Sequence, residues 1–175
     1  KKMKSPITGK EMKLKLESRE LDFRKESFKI AYHFYLCEES GEQFTTTEIE
    51  DLNMTQLYNQ YRDKHNLPFP DEIARIRAKY GLPANKMSEI LGFGVNSYRN
   101  YENGEVPSLA NARLIQLADD PIKFKSLVEL TDNIDIEYKS KLLKKIENLI
   151  EEKQEKLFSF GFRDYLLGEY SADEF

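Results

Sequence analysis

The chain has 175 residues, of which 39% are hydrophobic and 33% charged, and its formal net charge is −4 at pH 7. It has no apolar run near the roughly 18 residues that span a bilayer, which excludes a membrane-spanning protein. One cysteine excludes an internal disulfide framework, and the N-terminal KKMKSPITGK lacks the apolar stretch of a secretory signal, so we expect a cytoplasmic protein. The acidity lies mostly in residues 119–175, whereas residues 70–118 are mildly basic.

The first predicted element is a small antiparallel sheet. Apolar residues alternate with charged ones over residues 12–16 and again over residues 21–34, a period typical of strands with one buried face. We predict two or three strands, with turns near residues 18–19 and 25–27. Leu14 and Leu16, in the first of these runs, are expected on the buried face. Because so small a sheet is marginal in water, another element must cover that face.

A helix is predicted after the sheet. It begins at Thr-Thr-Thr-Glu, residues 45–48, since a threonine cap and acidic residues suit the unpaired amides of a first turn. Its apolar stripe ends near Asn66. Pro68 and Pro70 then mark a linker, so the first domain is predicted to span residues 1–66.

Four short helices are predicted in residues 70–120, separated by glycines and prolines that end one helix and begin the next. The second and third, within residues 84–101, have the spacing of a helix-turn-helix, whose second helix enters the major groove of DNA. Gly92 and Gly94 suit the unusual dihedral angles of the intervening turn. We expect the small Ser88 to allow a close approach of the two helices.

The predicted recognition helix is VNSYRNY, residues 95–101. Val95, Tyr98 and Tyr101 recur at three-residue spacing and are expected in the core. The side chains predicted to contact DNA are Asn96, Ser97, Arg99, Asn100, Lys86 and Lys79. Asparagine pairs with adenine and arginine with guanine in the major groove, whereas the serine and lysines are expected to position the DNA backbone. The alternative is an ordinary four-helix module with a solvated polar face.

Residues 121–175 are predicted to form C-terminal helices, one ending at Leu130 and a longer one over about 134–158. Apolar residues of the longer helix recur every seven positions, at Ile136, Leu143, Ile150 and Leu157. This repeat indicates either a dimer seam or a face packed against the chain's own next domain.

The predicted helical domain resembles that of a known family. Residues 70–118 resemble an Xre/Cro-type domain, and GFGVNSYRNYENG is similar to the signature of MqsA (YgiT-type) antitoxin-repressors. The resemblance implies a lambda-repressor-like helical domain in which Asn96 reads a base. Asn100 falls where that family often has a base-reading arginine, and Arg99 lies one position earlier. Residues 102–104 match the closing Glu-x-Gly of the fold.

The N-terminal residues resemble the zinc-binding sheet of the same family with most ligands replaced. The family's Cys-Pro-x-Cys-Gly reads SPITG here, and its Cys-x-x-Cys-Gly-Glu-x-Phe reads CEESGEQF. The four ligand positions are Ser5, Thr8, Cys37 and Ser40. Structural zinc takes four thiolate or imidazole ligands, so we predict no metal and no other cofactor. We expect His33 to be an ordinary strand residue, and inward aromatic side chains to compensate for the lost metal.

The predicted fold class is therefore α+β, mainly α, with an N-terminal antiparallel sheet plus helix, a helical DNA-binding domain and C-terminal helices. The predicted function is a sequence-specific DNA-binding regulator, an antitoxin and autorepressor. Its expected partners are a palindromic operator in double-stranded DNA, a toxin protein and a second copy of the chain. The alternative is a toxin-neutralising interaction module with weak or vestigial DNA binding.

Two further expectations concern catalysis and chain length. His33 and His65 lie beside no nucleophile and no phosphate-loop signature occurs, so we predict that the chain is not an enzyme. Residues 158–175, FSFGFRDYLLGEYSADEF, are similar to the segment that leads into a Panacea (SocA-like) domain, which predicts a fragment of a longer protein.

Overall fold

A computed structural model describes residues 3–167, with side chains through Phe158. The fold is α+β and mainly α, as predicted. In chain order the elements are β1 (Lys13–Phe23), β2 (Glu26–Leu36), β3 (Gln43–Phe44), α1 (Thr47–His65), α2 (Pro70–Tyr80), α3 (Ala84–Ile90), α4 (Ser97–Glu102), α5 (Leu109–Ala118), α6 (Pro121–Glu129) and α7 (Ile136–Leu167). The chain divides into two compact units, Lys1–Phe69 and Pro70–Phe175, called here the sheet unit and the helical unit.

Helix α7 runs on to Leu167, past the predicted end at residue 158. The last eight residues of the segment that resembles a Panacea lead-in, 168–175, lie outside the described residues, and side chains are described only to Phe158. Across residues 3–167, no helix combines the length and apolar character needed to cross a membrane.

Strands β1 and β2 form a long antiparallel hairpin, closed by Arg24 and Lys25 at φ of 49° and 68°. The turn predicted near residues 18–19 is wrong, because β1 runs through it and Ser18 pairs with Ala31. The polar run there is a stretch of exposed strand. Strand β3 adds two residue pairs to the end of β2.

The unbroken strand also overturns the expected burial of Leu14 and Leu16. Side chains alternate between the two faces of a strand, so these leucines lie on the opposite face from Leu21. They are 54% and 61% exposed, and they pair with Tyr35 and His33 across the hairpin. The sheet unit therefore has an exposed apolar patch on the face that α1 does not cover.

Helix α1 covers the other face of the hairpin. Thr46 caps it as predicted, its hydroxyl accepting a hydrogen bond from the Ile49 N–H at 3.3 Å. The small core beneath it consists of Phe28, Ile30 and Leu57. The partly buried residues packed around that core are Leu21, Phe23, Tyr32, Met54, Tyr58 and Tyr61.

Amide side chains of α1 also pair with the edge of β2 that faces away from β1. The Asn53 amide accepts from the His33 N–H at 2.8 Å and donates to the His33 carbonyl at 2.9 Å. Gln56 bonds Ala31 in the same two ways, at 3.1 and 2.9 Å, and Gln60 donates to a third carbonyl at 2.8 Å. The helix thus satisfies backbone groups that an uncovered edge strand leaves open.

The helical unit packs α2 to α7 around one large core. The Tyr80 ring stacks on Phe124 with centroids 4.0 Å apart, and its hydroxyl donates to the Ala118 carbonyl at 2.6 Å. Leu142 and Ile146 place one face of α7 in this core, so that face packs against its own unit. Ile136 and Leu157, at the ends of the predicted seven-residue repeat, are 85% and 65% exposed. A dimer seam along α7 stays a prediction.

Candidate nucleic-acid interface

The predicted helix-turn-helix corresponds to α3, a short turn and α4. Gly92 has a φ of +71°, as expected for a residue that reverses the chain after a helix. Gly94 does not have a positive φ and serves a different purpose. A Cβ at this position would lie 3.1 Å from the Ser97 hydroxyl, so glycine allows the turn to approach the start of α4 closely.

Two tyrosines fix α4 against the core, as predicted. Tyr98 is fully buried, and its hydroxyl donates to the Ile73 carbonyl of α2 at 2.8 Å. Tyr101 is 6% exposed and its hydroxyl accepts from the Asn111 amide at 2.8 Å. The expectation that Val95 joins them is wrong, since it precedes the helix and is 66% exposed.

The start of α4 is capped in an unusual way. Asn96 occupies the cap position, where an asparagine side chain normally accepts from a first-turn amide, but it makes no such bond. Instead the buried Ser88 of α3 accepts from the Tyr98 N–H at 3.0 Å. Ser88 therefore does more than allow close approach, because it takes over the capping bond and leaves the Asn96 amide uncommitted.

The other predicted base readers lie beside Asn96. Arg99 and Asn100 are exposed on α4, and Ser97 is half-buried at its first residue. None of these four side chains hydrogen-bonds another residue in the described part of the chain. Together they form a polar ridge that rests on the buried tyrosines. The side chains of this ridge can donate and accept hydrogen bonds at the edges of bases.

The two lysines predicted to hold the DNA backbone lie on other helices and are engaged in ion pairs. Lys86 of α3 bonds Glu89 at 2.7 Å, a hydrogen bond that raises the pKa of the lysine. Lys79 of α2 lies 2.5 Å from the carboxylate of Asp119. A phosphate contact by either lysine requires its ammonium group to leave or share that carboxylate.

Arg77 is a residue that the sequence did not single out. Its guanidinium makes two bonds to the Glu102 carboxylate, at 2.5 and 3.1 Å, and a third to the Leu82 carbonyl at 2.8 Å. The pair with Glu102 raises the pKa of the arginine. The pair ties the end of α4 to α2, which explains why a glutamate suits the closing Glu-x-Gly. Nothing in the sequence identifies its partner.

A comparison with known families gives the family of the chain. The family model described as the antitoxin component of bacterial toxin–antitoxin systems, MqsA, matches residues 3–129. The chain belongs to the MqsA antitoxin family. This confirms the family that the residues predicted. The match includes the polar ridge and ends before α7. Among curated proteins, none matches the chain.

In this MqsA-family chain the four positions that the resemblance aligns with zinc ligands fall in two turns of the sheet unit. The Gly9 N–H donates to the Ser5 carbonyl at 2.9 Å, and the Gly41 N–H donates to the Cys37 carbonyl at 2.8 Å. The Thr8 hydroxyl lies 3.4 Å from the cysteine sulfur. Ser5 and Cys37 are 3% and 2% exposed, so the structure brings the turns together around a buried thiol.

These residues do not fit a structural zinc ion. The hydroxyls of Ser40, Ser5 and Thr8 hydrogen-bond the sulfur and lower the pKa of Cys37 to about 6. One thiolate and three neutral hydroxyls lack the four thiolate or imidazole donors that such zinc requires. No group of three or more histidine, cysteine or acidic residues in the described range is arranged to hold a metal. His33 lies in β2, and its backbone bonds Asn53.

Proposed function

We propose that this antitoxin-family chain represses its own operon by laying α4 in the major groove of double-stranded DNA. The observation that carries the proposal is the uncommitted Asn96 side chain, because Ser88 performs the capping bond that an asparagine there would normally make. An exposed amide at the start of a helix is suited to reading an adenine. The family supports the antitoxin part of the proposal.

The roles follow from the chemistry of each side chain. Asn96 and Asn100 offer paired donor and acceptor groups to adenine, and Arg99 offers two donors to guanine. Ser97 is short and half-buried, so it suits a phosphate oxygen or a nearby base. Lys86 and Lys79 would add phosphate contacts once their carboxylate partners are displaced. No step of this binding requires a cofactor or an enzymatic activity.

We further propose that two copies bind a palindromic operator. A six-residue helix presents few base contacts, and dimeric readers gain specificity by contacting two half-sites about 34 Å apart. The second proposed partner is the cognate toxin, in keeping with the antitoxin family.

A specific observation favours toxin neutralisation by the sheet unit as a second function. Strand β1 is an 11-residue strand whose outer edge pairs with no described strand, and it carries the exposed Leu14 and Leu16. Such an edge is suited to receive an extended segment of another protein. This surface also supports the alternative in which neutralisation is the main activity and DNA binding is vestigial.

Footprinting over the protein's own promoter tests the proposal and yields the operator. Asn96→Ala should then weaken operator binding by about 1–3 kcal/mol and relax sequence choice, because a base contact is lost. Asn148→Ala, an exposed asparagine of α7, is the matched control and should leave binding unchanged.

Two outcomes would contradict DNA reading by this ridge. The first is an equal loss of affinity by Asn96→Ala on operator and random duplex, which would remove Asn96 as a base reader. The second is a flat, sequence-indifferent affinity alongside tight toxin binding, which would favour the interaction module. A steep dependence of operator affinity on salt supports phosphate contacts, since each one releases counterions.

A further inference from the structure

Val95 is an exposed apolar side chain directly beside the polar ridge. It is 66% exposed and directly precedes Asn96. The Ser97 N–H donates to the Gly94 carbonyl at 2.9 Å, which makes Val95 and Asn96 the two central residues of a turn. That turn leads straight into α4, so Val95 stands at the tip of the helix that the proposed function lays in the groove.

The backbone extends the helical path back to this turn. Asn96 has a φ of −99° and a ψ of −6°, close to helical values, and its carbonyl accepts from the Asn100 N–H at 3.0 Å. Val95 therefore lies two residues before the first residue of α4, in the turn that leads into the helix, and its side chain is open to solvent. The N-terminal residues of a groove-bound helix are those that reach base edges.

The neighbours of Val95 leave it open to a close approach. Gly94 has no side chain, and Ser97 is small and half-buried. Of the side chains at residues 95–100, the exposed ones are Val95, Asn96, Arg99 and Asn100. Three of these form hydrogen bonds readily, whereas valine has neither donor nor acceptor, so it needs an apolar complement.

The major groove offers one such complement, the C5-methyl group of thymine. We propose that Val95 is a specificity-determining residue that packs on a thymine methyl group beside the base read by Asn96. This inference rests on the proposed function and adds to it a preference for thymine at one position of each half-site. Exclusion of water from the methyl–valine contact supplies the discrimination.

Deoxyuridine tests the contact because it lacks only the methyl group of thymine. Each thymine of the footprinted operator is replaced singly by deoxyuridine, and binding of the full chain is measured. At one position per half-site, the replacement should weaken wild-type binding about fourfold, the loss expected for one buried methyl group. Val95→Ala should bind the thymine operator more weakly and show no further loss at that deoxyuridine.

Leu117→Ala, which truncates an exposed apolar residue of α5, is the control and should keep the wild-type sensitivity to deoxyuridine. The inference is overturned if wild type tolerates deoxyuridine at every position. It is also overturned if Val95→Ala remains as sensitive as wild type, since the methyl group then contacts another residue. If the wild-type chain shows no sequence preference among unmodified duplexes, the proposed function itself is refuted. That measurement is made before any deoxyuridine is used.

Discussion

The sheet unit and the helical unit are stabilised by different means. Among the described residues the sheet unit has seven buried apolar residues, three of them in one cluster, whereas the helical unit has eighteen, sixteen of them in one cluster. The sheet unit adds side-chain hydrogen bonds from α1 to the edge of β2 and around the Cys37 sulfur. Apolar burial therefore dominates in one unit, and satisfied backbone and polar groups matter more in the other.

The largest effect is expected from a cavity in the helical unit. Phe124→Ala should lower the free energy of unfolding by about 3–5 kcal/mol, because the ring is fully buried and stacked on Tyr80. Urea unfolding followed by circular dichroism measures the loss, and hydrogen exchange assigns it to the helical unit. The control is Phe158→Ala, which removes a ring that is 79% exposed. Equal losses from the two variants would contradict a packing-dominated unit.

In the sheet unit the largest loss of stability is expected from removing a hydrogen-bonding side chain. Asn53→Ala should lower stability by about 1–3 kcal/mol, since it leaves the His33 N–H and carbonyl without their amide partner. Faster hydrogen exchange at the His33 amide checks this directly. Gln60→Ala is the matched control, because Gln60 is exposed and makes a single bond. Unchanged exchange in Asn53→Ala would show that α1 stabilises the sheet by apolar contacts alone.

One polar contact in the helical unit is expected to matter as well, though less. Ser88→Ala should lower stability by about 1 kcal/mol, because it removes the acceptor for the Tyr98 N–H at the start of α4. Hydrogen exchange at that amide should accelerate. Ser126→Ala, at an exposed serine of α6, should have no comparable effect. A slow Tyr98 amide in Ser88→Ala would indicate that Asn96 has rotated to replace the lost cap.

Local signals in the sequence predicted much of this fold. Threonine and proline mark helix starts by their own geometry, and the cap at Thr46 and the start of α6 at Pro121 lie where the sequence places them. The buried positions of Tyr98 and Tyr101 followed from helical spacing inside one element. The division into three domains stays a prediction, as do the roles of the ridge residues.

Two of the misses, at residues 18–19 and at Arg77, depend on neighbours distant in sequence, whereas the miss at Val95 depends on where a helix begins. The polar run at residues 18–19 resembles a turn, yet pairing with β2 keeps it extended. Val95 fits a helical face by spacing, but the helix begins two residues later. The bond from Arg77 to Glu102 joins residues 25 positions apart, so no local pattern could reveal it.

The smallest expected effect sharpens the comparison most. A strong chelator should change neither the thermal midpoint of the sheet unit nor hydrogen exchange along β2, because the turns at Ser5 and Cys37 are held by hydrogen bonds. The variant carrying Ser5→Cys, Thr8→Cys and Ser40→Cys should bind zinc and become chelator-sensitive, since it supplies four thiolates. A wild-type chain that loses protection in the chelator would instead contain a metal, and the hydrogen-bonded account of this unit would be wrong.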